Sequence, residues 1–306
     1  MDDEKIKSVV REGYAKIAKE GKVFSVPLTS CCGSASLADE TSKRIGYTER
    51  ELAVVPEGAN LGLGCGNPVA LALLQEGDIV LDLGSGAGFD CFLAAERVGA
   101  SGKVIGVDMT PEMIAKAREN ARKGNYYTVE FRLGEIEHLP VADNSIDVII
   151  SNCVINLVPD KRGAFAEIFR VLKPGGKLMI SDIVLLQELP DVIKNSAAAY
   201  VGCISGALMK DDYLKTMREA GFEDVQVVEE TVFPIECMAN DPTAQAIVKD
   251  AGLPQERIKE LEHSVLSIKV RGVKQQVHMG DVGSSSVCEN LRHAGHLDPK
   301  GTHFTS

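Results

Sequence analysis

The sequence predicts an α/β fold: a mostly parallel, doubly wound sheet with a small C-terminal α+β appendage. Three observations carry this expectation. Apolar runs of strand length alternate with helical patterns from Asp78 to Asp182. A glycine-rich turn, Gly84-Ser85-Gly86-Ala87-Gly88, joins the first of those runs to a helix. Helix start and stop signals fall between the runs. Alternation at this spacing is what parallel strands covered on both faces produce.

The elements follow in order. From 2 to 19, Ile6, Val9, Val10, Tyr14 and Ile17 recur at helical spacing among charged residues, which predicts an amphipathic helix. A loop with Ser30-Cys31-Cys32-Gly33 follows. Thr48-Glu49-Arg50-Glu51 has the form of a capping box, in which Thr and Glu each satisfy the other's backbone N–H, and opens a short helix. Glycine dominates from Gly58 to Gly66, after which Asn67 and Pro68 suit the N-cap and first turn of a helix running to Leu74. The regular part begins with a strand from Ile79 to Leu83, a helix to Val98, a strand from Lys103 to Val107 and a helix opened by Thr110-Pro111-Glu112. Strands are expected from Val129 to Leu133, Ile146 to Ser151 and Lys177 to Asp182, with a helix from Asp160 to Leu172 stopped by Lys173-Pro174-Gly175-Gly176. Two helical stretches and a strand near Val225 to Val232 come after Pro190. This divides the chain into an N-terminal helix with cysteine-bearing loops (1–66), the main domain (67–235), the appendage (236–272) and a tail (273–306) whose Gly, Ser and His content predicts disorder.

Composition narrows the function. A net charge of -11 argues against a phosphate-backbone partner, whose binding draws on displaced counterions. Trp is absent and aromatics make up 5%, so base-stacking platforms are missing and a small or polar ligand is favoured. No apolar run approaches the ~20 residues that span a bilayer, and the acidic opening is unlike a signal peptide, so a cytoplasmic protein is expected. Eight cysteines in that setting read as reduced thiols rather than a disulfide framework.

The loop after the first strand is a ligand cradle. Asp82 ends a buried strand, and Gly84, Ser85, Gly86 and Gly88 let backbone approach a ligand. The third glycine falls one residue early for the dinucleotide pattern G-x-G-x-x-G, and a strand-borne acid suits a cationic amine better than a pyrophosphate. Asp108 closes the second strand, where an acid can accept both hydrogen bonds of a ribose diol, with Met109 beside it. Glu135 and Ile136 follow the third strand and fit an adenine pocket, with a solvated loop acid as the alternative for Glu135, and Asn152 at the end of the fourth is assigned to the same ligand. Leu81 to Gly88, with Val107-Asp108-Met109 and Leu172 to Gly176, resembles the Rossmann-like class I S-adenosylmethionine methyltransferases over residues 78–182. The resemblance implies S-adenosylmethionine as methyl donor and is silent on the acceptor.

The cysteines address the acceptor. Ligands of open α/β sheets sit outside the strand carboxyl ends at the switch point, here expected between the first and fourth strands. Cys153 follows the fourth strand directly, Cys65 lies in Gly64-Cys65-Gly66-Asn67-Pro68 ahead of a helix N-terminus expected to lower its pKa, and Cys203 can return to the same edge after the fifth strand. Three converging thiolates suit a soft, thiophilic centre, and zinc also fits on chemistry alone. Cys91 reads as core, while Cys237, Cys288, His293 and His296 lie outside any convincing cluster.

Gly64 to Pro68, Ser151-Asn152-Cys153-Val154-Ile155-Asn156-Leu157 and Gly202-Cys203 resemble the arsenite S-adenosylmethionine methyltransferases, a likeness covering about residues 1 to 235. It implies that Cys65, Cys153 and Cys203 bind arsenic(III). It also implies that an N-terminal cysteine, Cys31 or Cys32, joins a redox cycle with Cys65 that thioredoxin or glutathione resets. No general base is needed, because the arsenic lone pair carries no proton, and His138 is read as structural. The alternatives are a methyltransferase of a small organic metabolite and a non-catalytic metalloid or zinc sensor.

Overall fold

The computed structural model describes residues 2–20, 37–194, 196–233 and 263–276. Among the described residues four helices precede the sheet: α1 (Asp3–Glu20), α2 (Leu37–Arg44), α3 (Glu49–Val54) and α4 (Pro68–Leu71). There follow β1 (Ile79–Leu83), α5 (Phe89–Val98), β2 (Lys103–Asp108), α6 (Pro111–Gly124), β3 (Val129–Leu133) and β4 (Ile146–Asn152). Then come α7 (Lys161–Val171), β5 (Leu172–Leu185), α8 (Asp191–Lys194), α9 (Ala197–Val201), α10 (Lys210–Glu219), β6 (Glu223–Val232) and β7 (Val265–Val273).

The seven strands form one sheet in the order β3-β2-β1-β4-β5-β7-β6. β3 through β5 are parallel, and β7 runs antiparallel to both β5 and β6. Chain order reverses between β1 and β4, so the crevice at their carboxyl ends is the natural ligand position. Separate apolar clusters pack the two faces, one around Phe165, Ile168 and Tyr213 and one around Phe92, Ala94 and Val98. Among the described residues no helix is long and apolar enough to cross a membrane.

Local signals act as read in most places. The Thr48/Glu51 capping box is formed in both directions, and Asn67 accepts from Ala70 N–H with Pro68 in the first turn. α4 stops at Leu71 rather than Leu74, because Leu73 adopts φ 51° in the left-handed region. β5 is longer than expected. Lys173 to Gly176 end the helix but pair onward, Gly175 N–H donating to Lys274 O and Lys274 N–H to Gly176 O.

Residues 265–272, expected in an appendage, instead form β7 inside the main sheet, registered from Lys177↔Val273 to Leu185↔Val265. Leu266-Ser267-Ile268-Lys269-Val270-Arg271 alternates apolar and polar residues as a strand does, but its pairing with β5 is long-range, and its polar face is buried as well, Ser267 and Lys269 included. The chain to Gln275 is one compact unit, with α1 packed on α6 and α9. Cys31, Cys32, Cys237, Cys288, His293 and His296 lie outside the described residues, as does the tail from 277.

Candidate active site

The glycine loop is shaped by backbone conformation. Gly84, Gly86 and Gly88 have φ of 66°, 52° and 94°. A Cβ on Gly84 would sit 2.4 Å from Val154 and one on Gly88 2.7 Å from Phe131, whereas one on Gly86 would meet nothing among the described residues within 4 Å. Two of the glycines are therefore required by packing, and the middle one faces open space. Asp108 carries the loop: its Oδ2 accepts Gly86 N–H at 3.0 Å and its Oδ1 accepts Thr110 N–H at 2.8 Å. Thr110, the N-cap residue of α6, makes no side-chain cap bond of its own, and its N–H is held by Asp108. Each carboxylate oxygen keeps a lone pair for a further donor. Burial pushes the Asp108 pKa up.

The other residues expected at the cofactor are placed as follows. Asp82 is buried at the end of β1, accepts the Cys91 S–H at 3.1 Å, and is held well above the usual carboxylate range by burial and by nearby Asp90. Cys91 belongs to the core, as read. Ser85 Oγ is buried without a partner among the described residues. Met109 packs on the apolar cluster that contains the thiols, and Ile136 is buried in the core. Glu135 is engaged from above by α1, with Lys7 at 2.7 Å and Arg11 at 3.2 Å, and Lys7 also reaches Glu137 at 3.1 Å.

Cys65, Cys153 and Cys203 are brought together by three different segments. All three are buried free thiols of one cluster. The Sγ atoms of Cys65 and Cys153 and a carboxylate oxygen of Asp182 lie within 4.8 Å of one another. Cys203 S–H donates to Cys153 O at 3.1 Å. Cys153 stands between the other two: hydrogen bonds with Cys203 and Cys65, then burial, push its thiol well up. Cys65 is also raised, by burial, contrary to the helix-terminus expectation. α4 has only four residues, and Asn67 already occupies Ala70 N–H, so little positive end is left to oppose desolvation.

Two of the thiols are held in strained backbone. Cys153 has φ 58° and Cys203 φ 63°, a conformation that costs a non-glycine residue about 1–2 kcal/mol. Such strain persists only where surrounding contacts impose it. Asn156 Nδ2 supplies one, donating to Cys203 O at 3.3 Å and to Ile183 O at 2.7 Å. Asn152 directs its carboxamide at the Cys65 loop, with Oδ1 accepting Cys65 N–H at 3.0 Å.

Three neighbours escaped the sequence reading. Tyr14 of α1 places its hydroxyl 3.9 Å from Cys203 Sγ, although its spacing marks only a helix face. Asn156 lies within a quoted motif, but no role could be assigned without its partners. Asp182 is fully buried, accepts from Tyr213 O–H at 3.1 Å and Ile183 N–H at 2.9 Å, and is pushed up to about 7 by burial. Like Asp82 and Asp108 it is an acid toward the carboxyl end of a strand, and that position was its available signal.

A glycine loop and a strand-end acid flanking the β1/β4 crevice of a sheet in this order define a class I methyltransferase. Comparison with known proteins agrees: the family described as a methyltransferase domain matches residues 74–221. The chain is 51% identical over 239 residues to an arsenite methyltransferase of Halobacterium salinarum and 40% over 228 residues to one of Aquipseudomonas alcaligenes. These alignments cover 74% and 72% of the chain, which spans 59% and 63% of the two relatives' lengths. The crystal structure of an arsenic(III) S-adenosylmethionine methyltransferase from Chlamydomonas reinhardtii aligns with TM-score 0.58 at 31% identity, covering 79% of this chain and 75% of that one. The chain belongs to the arsenite methyltransferase family.

Proposed function

We propose that the chain methylates trivalent arsenic held by Cys65, Cys153 and Cys203, with S-adenosylmethionine as donor, and that it serves arsenic detoxification in the cytoplasm. One observation carries the reading: thiols from three distant parts of the chain meet in a single buried cluster at the strand edge that bears the glycine loop. Sulfur donors suit a soft centre and not the oxygen-loving cations.

The loop fits the methyl donor. Gly86 faces open space, Ser85 Oγ is free to hydrogen-bond, and Asp108 keeps lone pairs for a diol. Bound S-adenosylmethionine supplies an electrophilic methyl group. In loading, each thiol displaces one hydroxyl of arsenite and its proton leaves in the water formed, so no net proton is released and raised thiol pKa values do not oppose the step. The protein's part is then placement, with the arsenic lone pair directed at the methyl carbon as the sulfur–carbon bond breaks. Transfer oxidises arsenic from the trivalent to the pentavalent state, its lone pair passing into the new arsenic–carbon bond. A thiol pair such as Cys32 with Cys65 returns an electron pair and closes as a disulfide, which thioredoxin or glutathione reopens.

Incubation with arsenite, methyl-labelled S-adenosylmethionine and glutathione, followed by speciation of arsenic, tests the reading. Labelled methylarsenicals are expected. Their absence, with label instead on an organic acceptor, or zinc retained without methyl turnover, contradicts it.

A further inference from the structure

Two asparagines flank Cys153, and each holds the loop of another cysteine. Asn152 Oδ1 accepts Cys65 N–H at 3.0 Å while its Nδ2 donates to Gly66 O at 2.8 Å. The carboxamide is braced from behind. Nδ2 lies 2.9 Å from Tyr47 Oη and 3.1 Å from Asp90 Oδ2, and Tyr47 O–H donates to Asp90 Oδ1 at 2.6 Å. A Cβ on Gly64 would fall 2.8 Å from Asn152 Nδ2, so the loop carries no side chain where the amide docks.

Asn156 repeats the device on the other side. It is fully buried, bonds Cys203 O and Ile183 O, and a Cβ on Gly206 would fall 2.0 Å from its backbone oxygen. In both cases a glycine near a cysteine admits an asparagine that neighbours Cys153.

We infer that Asn152 and Asn156 are positioning residues that set which trivalent arsenicals the site holds. Asn152 docks Cys65, the third thiol, and so governs arsenite; Asn156 docks Cys203, which every arsenical requires. The inference rests on the arsenical reading of the site. Its logic is valence: arsenite has three exchangeable oxygens and methylarsenite two, so only the former loses a bond when Cys65 is misplaced. Without Asn152 the Cys65 amide is orphaned, yet Ser267 Oγ still donates to Cys65 O at 2.6 Å from β7. The loop is then displaced rather than unfolded.

The test measures equilibrium binding of arsenite and methylarsenite to the wild-type chain and to Asn152→Ala, Tyr47→Phe and Asn156→Asp. Iodoacetamide labelling of each cysteine accompanies it. Asn152→Ala is expected to weaken arsenite binding by about 10- to 100-fold and methylarsenite by less than about threefold. Cys65 should be alkylated faster relative to Cys153 and Cys203. Tyr47→Phe should show the same split at smaller size, which keeps the inference open to refutation if Asn152→Ala does not fold. Asn156→Asp, which keeps the volume and loses both donated bonds, should weaken both arsenicals alike. If the wild-type chain binds both arsenicals and neither Asn152→Ala nor Tyr47→Phe separates them, the inference fails alone. If the wild-type chain binds neither, the arsenical reading fails and takes the inference with it.

Discussion

The glycine loop after β1 and the thiol cluster after β4 share one edge of the sheet, but they are built from different material. The loop is a local backbone shape, three glycines within five residues fastened to Asp108 at the end of the next strand. The cluster is a meeting of side chains from positions 65, 153 and 203, held by asparagines that reach between loops. The first should fail through steric strain and lost donor affinity. The second should fail through chemistry, with the fold intact.

The largest effects separate the thiols. Cys203→Ser should abolish turnover of every trivalent arsenical, because a hydroxyl is a hard, protonated ligand that does not replace a thiolate. Cys65→Ser should abolish arsenite turnover and be milder on methylarsenite. Assays of both variants on both substrates under excess thiol check this, and equal losses throughout would break the division between thiols.

The loop comes next. Gly86→Val places a branched residue at φ 52° and fills the open space in front of the loop, so S-adenosylmethionine binding should fall by more than about 100-fold. Calorimetry on Gly86→Val and on Cys203→Ser sharpens the comparison, since only the former should lose the donor. Asp108→Ala should cost donor binding less, about 1 to 3 kcal/mol, and leave arsenite affinity unaltered. Because Asp108 also fastens Gly86 and holds the Thr110 N–H, its variant should melt earlier than the wild type.

How much of this was legible follows from the same contrast. β1 has the bounds the sequence predicts, since a run of apolar residues interrupted only by Asp82 and followed by Gly84 needs no tertiary information. The loop, the Thr48 and Asn67 caps and the switch-point position of Cys153 are likewise local or topological. The alternation from Leu266 to Arg271 is a local strand signal, but the place of β7 between β5 and β6 was not legible, because that pairing joins distant parts of the chain. Nor were the partners of Asn152 and the approach of Tyr14, which depend on where distant loops land. The direction of the Cys65 shift was misjudged because burial, invisible in a glycine-rich stretch, outweighs a four-residue helix.

The smallest effect concerns Asp182. Burial raises its folded pKa to about 7, above the unfolded 3.8, so the folded chain retains a proton that the unfolded chain releases. That contribution to stability is fully present below about pH 4 and lost as pH rises through about 7. Asn at this position has no such loss, so the melting temperature of Asp182→Asn relative to wild type should climb between about pH 4 and pH 7 and level off above. A flat difference would remove burial as the cause.

The central claim is that Cys153, set beside the methyl donor by the end of β4, holds the arsenic while it is methylated. Methyl transfer to methylarsenite is therefore measured in Cys153→Ser and, as a control, in Cys91→Ser, which keeps a hydrogen-bond donor for Asp82. The account predicts no labelled product from Cys153→Ser at normal S-adenosylmethionine affinity and ordinary turnover from Cys91→Ser. Full turnover in Cys153→Ser would contradict it.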